Sequence, residues 1–237
     1  EIYVGTDYKE TSISSNVYKI IRNCQLQGGL AIACGDAGIG KTQACRQYYR
    51  EHGTNCIYIT VNPCIKSSKS VLELIGSKLN VSSGSVSRLW LEISSKLSDG
   101  MVIIVDEAQH LTRNAIDTLR SLCDCFDEKG QTLGICFVGN ETTVSRLGGK
   151  QKAEFAQIRN RTKNTRFYSV KQIKKSDIEM LFPDIREDTT AVEFLLCIAQ
   201  SPQAIRGAVN LYSNALDNGN VTAKGLSAIA KYMDMAV

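Results

Sequence analysis

The sequence predicts a three-layer α/β fold built on a parallel five-stranded sheet, with a small helical subdomain after it. Two observations carry this. Five short strand-like runs, four of them apolar, alternate with stretches of helical periodicity up to about residue 170, the pattern of right-handed strand–helix–strand crossovers. Beyond Lys171 the strand signals stop and only helical periodicity remains. The expected division is therefore 1–170 for the α/β core and 171–237 for a helical lid.

The elements follow in order. Residues 11–26 read as a helix, with Thr11 or Ser12 near its cap and Ile13, Val17, Ile20, Ile21 and Cys24 on one stripe. The run Leu30–Cys34 is the first strand. Cys56–Val61 is the second, stopped by Asn62-Pro63. Helices are predicted over 69–79 and 85–98, separated by Ser82-Ser83-Gly84-Ser85. Trp90 lies on the apolar stripe of the latter and is assigned to the core. Met101–Val105 is a continuous apolar run, as in strands buried on both faces. A helix at 112–126, a strand at 133–138, a helical region reaching Asn160 and a strand at 166–170 complete the core. Lid helices are expected at 174–182, 188–200, 202–216 and 222–235, with Ser201 capping and Pro202 at the first helical position of the third.

At 237 residues, the chain accommodates one large domain or a core with a smaller satellite. Its apolar fraction of 43% and charged fraction of 22% are ordinary for a globular protein. No apolar run approaches the ~18 residues of a membrane span, so no membrane partner is expected. The first residue is Glu1, which suggests a trimmed chain with a segment missing upstream. The nine cysteines form no C-x-x-C pair, and only two histidines accompany them. Zinc is not expected, and free thiols in a reducing cytoplasm are. The net charge of +4 is unevenly spread: ten Lys/Arg between Arg146 and Lys175 face one acid, Glu154. That cluster suits either a polyanion or a solvated face.

The chemistry is concentrated in Gly35-Asp36-Ala37-Gly38-Ile39-Gly40-Lys41-Thr42, a complete G-x-x-x-x-G-K-T between a strand and a helix. Glycines there let backbone N–H groups close around phosphates, and the helix N-terminus adds partial positive charge. Residues 35–42 and the following Gln43 are the expected nucleotide contacts. Lys41 is expected at the β- and γ-phosphates and the Thr42 hydroxyl on Mg²⁺. Asp106 ends the third apolar run, where an acid can hold Mg²⁺ through its water shell. Glu107 beside it can orient and deprotonate the attacking water. Asn140 ends the next strand and is a candidate for contacting that water. Arg206, on a lid helix, is a candidate for reaching the γ-phosphate. The expected cofactors are thus ATP and Mg²⁺.

The order GDAGIGKT, VIIVDEAQHL, FVGNE and SPQAIR resembles the AAA+ ATPases, and within them the transposition ATPases of the phage Mu B and target-selector type. The resemblance spans roughly residues 12–215 and implies a P-loop AAA+ core with a helical lid. It implies Lys41 and Thr42 as Walker A, Asp106 and Glu107 as Walker B, Asn140 as sensor 1 and Arg206 as sensor 2. Ser201-Pro202 stand where such proteins often carry glycine. It implies an arginine finger acting in trans, for which Arg159 and Arg161 both qualify, and hence a homo-oligomer, filament or ring. Proteins of this kind assemble on duplex DNA with little sequence preference, recruit a transposase and hydrolyse ATP to disassemble. On that basis Lys66, Lys69 and Arg88 are the expected DNA contacts. The family usually carries an N-terminal helix-turn-helix region, expected here to belong to the segment upstream of Glu1. The competing expectation is an AAA+ ATPase that switches a protein partner in secretion or signalling without touching DNA. A weaker third is a replication initiator or helicase loader.

Overall fold

The computed structural model describes residues 8–143 and 162–235. Strands β1 (Gly29–Gly35), β2 (Cys56–Thr60), β3 (Met101–Asp106), β4 (Leu133–Gly139) and β5 (Thr162–Tyr168) form one sheet in the order β2-β3-β4-β1-β5. The β2–β3, β3–β4 and β4–β1 pairs are parallel. The three central strands are buried along nearly their whole length, which is why they read as unbroken apolar runs. The sheet is the five-stranded α/β architecture expected.

Helices α1 (Ser12–Gln27), α2 (Lys41–His52), α3 (Ser68–Lys78), α4 (Val86–Lys96) and α5 (Arg113–Glu128) accompany these strands. After β5 come α6 (Lys175–Leu181), α7 (Thr189–Ala199), α8 (Ala204–Asp217) and α9 (Ala223–Tyr232). Each apolar stripe residue predicted on α1 is buried. Helix starts follow local capping chemistry: Ser67, Ser85, Thr112, Asp188 and Thr222 each accept a backbone N–H of the first turn.

The chain divides into two compact units. One comprises Val17–Gly35 and Cys45–Phe167, and the other Glu1–Asn16, Asp36–Ala44 and Tyr168–Val237. The first holds the sheet, with a core of Ile57, Ile59, Ile103, Val105, Ile135 and Phe137 against α3, α4 and α5. Trp90 packs on that core and donates its Nε1–H to Ser121 Oγ at 2.9 Å, as its place on the apolar stripe predicts. The second holds the phosphate-loop segment and the C-terminal helices. There the buried Asp177 accepts Ser12 N at 2.7 Å and Lys174 N at 2.9 Å. Among the described residues, Cys64 and Cys197 are the exposed cysteines, and Cys24, Cys34, Cys45, Cys56, Cys123 and Cys136 are buried. Burial raises the thiol pKa of Cys136 well above its ordinary value and that of Cys56 to about 12.

Two sequence expectations need correction. β5 is Thr162–Tyr168, not 166–170, because the Ser169 hydroxyl accepts Lys171 N and Val170 N is drawn to the Asp36 carboxylate, ending the strand early. The third lid helix begins at Ala204, not at Pro202. Ser201 Oγ donates to Ile198 O of the preceding helix and accepts Gln203 N, so Ser201–Gln203 form a separate turn. Ala204 then enters α8 with φ +56°, a left-handed conformation that breaks helical continuity with Pro202.

Candidate active site

The sheet places the chemistry at one edge. In parallel strands the C-terminal ends of β3, β4 and β1 point the same way, and the registers Val105↔Phe137 and Cys34↔Gly139 align them. Asp106, Asn140 and Gly35, the first residue of the phosphate-loop motif, therefore leave the sheet on the same side. This is where open α/β sheets bind ligands.

The loop after Gly35 has the backbone that phosphate binding requires. Gly38 and Gly40 have φ +76° and +96°, conformations L side chains rarely adopt. The fully buried Ile39 anchors the loop between them. α2 opens at Lys41 with no acid in its first turn, so the helix N-terminus and Lys41 present positive potential that no carboxylate of that turn cancels. Lys41 Nζ donates to Asp36 O at 2.6 Å. The Asp36 carboxylate accepts Val170 N at 2.8 Å, and Asp36 N donates to Tyr168 O at 3.0 Å. Asp36 thus ties the loop to the segment that follows β5. Thr42 is half-buried and Gln43 exposed.

Arg206 meets this loop directly. Its backbone N–H donates to Gly38 O at 3.2 Å. A Cβ on Gly38 would stand 3.2 Å from both Ala204 Cβ and Arg206 Cβ, so only glycine lets the start of α8 approach this closely. The left-handed Ala204 aims the first turn of α8 at the loop.

At the sheet edge, Asp106 is buried, 2% exposed. Its Oδ2 accepts the Tyr58 hydroxyl at 3.0 Å and its Oδ1 accepts Glu107 N at 3.0 Å. Burial first, then the Asp106 charge, raises the Tyr58 pKa to about 12. Glu107 is exposed and sits at φ +58°, ψ 33°. That conformation costs a non-glycine residue on the order of 1–3 kcal/mol, and such strain clusters at functional sites. The Glu107 carboxylate accepts the Gln109 side-chain amide. Gln109 Oε1 in turn accepts Asn140 N at 3.3 Å. Asn140 Oδ1 accepts Thr142 N at 3.0 Å and Thr142 Oγ1 at 2.6 Å.

The remaining predicted residues lie elsewhere. Lys66 is exposed in the loop before α3, Lys69 is on α3 and Arg88 on α4. Lys69 pairs with Glu73 at 3.9 Å and Arg88 with Glu92 at 2.6 Å, each within its own helix. Arg159 and Arg161 lie outside the described residues. Sequence reasoning did not single out Tyr58, Gln109 or Asp177. Gln109 was visible only as the third residue of the run after Asp106, and Tyr58 only as the residue two short of the second strand's end.

A glycine-built phosphate loop at a helix N-terminus, with an acid pair closing a central parallel strand, defines a P-loop nucleoside-triphosphatase. The comparisons narrow the class. The model of the AAA domain family matches residues 24–147, and the chain belongs to that family; it is an AAA+ ATPase. It is similar to ATP-dependent target DNA activator B of Escherichia phage Mu, 29% identical over 226 residues, 92% of this chain and 68% of that protein. It is also similar to the Mu-like prophage FluMu DNA transposition protein B of Haemophilus influenzae, 28% identical over 214 residues, 86% of this chain and 71% of that protein. Among solved structures it shares its fold with the Aeropyrum pernix ORC1 protein in complex with DNA. That match has a TM-score of 0.61 and 13% identity, and covers 94% of this chain and 64% of that one. Among the described residues no helix is long and apolar enough to cross a membrane.

Proposed function

We propose that this ATPase acts in DNA transposition: it binds duplex DNA without sequence preference in its ATP state, as a homo-oligomer, and presents that DNA to a transposase. ATP hydrolysis then disassembles the oligomer, and the setting is cytoplasmic. One observation carries the reading. The similarity to the two transposition proteins runs through 92% and 86% of this chain, far beyond the ATPase motifs.

Residue roles follow from the chemistry. Backbone groups of residues 35–43 cradle the phosphates, and Lys41 contributes a point charge to them. Thr42 and Asp106 hold Mg²⁺, which when bound neutralises charge on the phosphates. The donor set fits this ion, since Mg²⁺ takes few protein ligands and keeps several waters. Glu107 orients and deprotonates the attacking water, and Asn140 holds it from the adjacent strand. Arg206 transmits the state of the loop to α8, with which its own N–H already links Gly38. Functionally, residues 1–170 are the nucleotide-binding core and 171–237 the lid. Arg159 or Arg161 acts in trans on a neighbour's nucleotide.

Lys66, Lys69 and Arg88 contact phosphates of the duplex. The carboxylates beside Lys69 and Arg88 are a modest obstacle, because exposed i,i+4 pairs contribute little and are screened by solvent and salt. Those same pairs favour the second reading, a protein-switching ATPase that does not touch DNA.

The test is fluorescence anisotropy of a labelled random duplex, titrated with protein under ATP, ADP and no nucleotide. Binding confined to ATP, weakened by salt through counterion release and lost in Lys41→Ala, is expected. No binding in any state, with ATP affinity intact, transfers the assignment to the protein-switching reading.

A further inference from the structure

The Gln109 side chain uses both ends of its amide at the sheet edge. Its NH₂ donates to the Glu107 carboxylate, and its Oε1 accepts Asn140 N at 3.3 Å. The path between them is sterically defined. A Cβ on Gly139 would lie 2.5 Å from Gln109 Oε1 and 2.2 Å from Thr143 Oγ1, so the amide occupies space that only a glycine at 139 leaves open. Glu107 is held from the backbone as well. Its N–H donates to Asp106 Oδ1, its carbonyl accepts His110 N at 3.0 Å, and its φ is +58°. With the backbone set in a strained conformation, the remaining freedom is in the Glu107 side-chain torsions. Gln109 supplies the contact that restricts them, and its other end is fixed to the residue that follows β4.

We propose that Gln109 is a positioning residue. It holds one carboxylate oxygen of Glu107 against the end of β4, leaves the other for the attacking water, and couples the orientation of Glu107 to the position of Asn140. The proposal rests on the reading of Glu107 as the water-activating carboxylate. An exposed glutamate samples several rotamers, and activation of water needs the carboxylate within hydrogen-bond reach of it. A residue that selects the productive rotamer changes the chemical step and leaves nucleotide binding alone.

Gln109→Glu separates the two ends of the contact. It keeps an acceptor of the same reach for Asn140 N but replaces the donor facing Glu107 with a like charge. The measurements are kcat and KM for ATP hydrolysis, the affinity for a fluorescent ATP analogue and the thermal unfolding midpoint. They are made on Gln109→Glu, Gln109→Ala and Glu107→Gln beside the wild-type chain. Expected for both Gln109 variants is a kcat lower by about ten-fold or more, with analogue affinity changed less than about two-fold and the midpoint nearly unmoved, the signature of an interaction that matters only in the transition state. If Glu107→Gln abolishes hydrolysis while both Gln109 variants keep wild-type kcat, the Gln109 proposal is overturned and the Glu107 reading stands. If Glu107→Gln hydrolyses ATP at the wild-type rate, the Glu107 reading fails and the proposal with it. A loss of kcat matched by loss of analogue affinity or of folding overturns the proposal in favour of a structural role.

Discussion

Gly38→Ala perturbs a place where the phosphate loop and the start of α8 touch backbone to backbone. Two costs add. Alanine at φ +76° bears a left-handed penalty of about 1–2 kcal/mol. Its Cβ also meets Ala204 Cβ and Arg206 Cβ at 3.2 Å each, closer than ordinary van der Waals contact. Reduced freedom of the unfolded chain offsets about 0.4–1 kcal/mol. The conformational terms leave about 0–1.6 kcal/mol, and the two tight contacts bring the net to about 1–2 kcal/mol, the lower range for overpacking, which the protein can absorb in two ways. It can keep the loop and lose stability, or it can shift the loop away from α8, break the 3.2 Å Arg206 N–H···O Gly38 bond and bind nucleotide more weakly. The second route corresponds to about 5- to 30-fold in Kd. Gly100→Ala is the control, because Gly100 has φ +75° but no atom within 4 Å of its Cβ position. Urea unfolding and titration with a fluorescent ATP analogue are run on both variants. Gly100→Ala is expected to lose stability with ATP affinity intact, and Gly38→Ala to lose ATP affinity or more stability than the control. A Gly38→Ala protein that matches Gly100→Ala in stability and binds the analogue within two-fold of wild type would refute the contact argument.

Two further outcomes are expected. Tyr58→Phe removes the hydroxyl that Asp106 accepts at 3.0 Å and costs about 1.5 kcal/mol, the low end for a bond to a charged group because Tyr58 is partly exposed. Since its folded pKa is raised from 10.0 to about 12, the neutral phenol is favoured by folding. Its advantage over the phenylalanine variant is full below pH 10.0 and is lost as pH rises through about 12; urea unfolding across that range checks it, and a constant difference is the contrary result. Asp177→Ala leaves Ser12 N and Lys174 N without their acceptor. It lowers stability by about 1–3 kcal/mol, two part-buried hydrogen bonds at about 0.5–1.5 each, and calorimetry that finds no change in midpoint would contradict that.

The sequence carried the elements whose signals are local. β3 was plain because a strand buried on both faces must be apolar at every position, and the phosphate loop because its glycines answer to backbone geometry within eight residues. Asp106, Glu107 and Asn140 were readable as strand-end residues for the same reason. What failed was set by distant partners. The 166–170 strand ended early because Val170 N is taken by Asp36, 134 residues away in sequence. Pro202 looked like a helix start, yet the chain bends at Ala204, where α8 meets Gly38.

Periodicity and motif spacing thus sufficed for the α/β class and for placing the glycine loop and the acid pair at strand ends, since each depends on neighbours within a turn or a strand. Packing alone assigned Tyr58 to Asp106, joined Gln109 to Glu107 and Asn140, and set Arg206 against Gly38. Apart from the pair Glu107–Gln109, those contacts link residues on different elements, and an amide or hydroxyl shows no preference for a partner until the folded backbone brings one within about 3 Å.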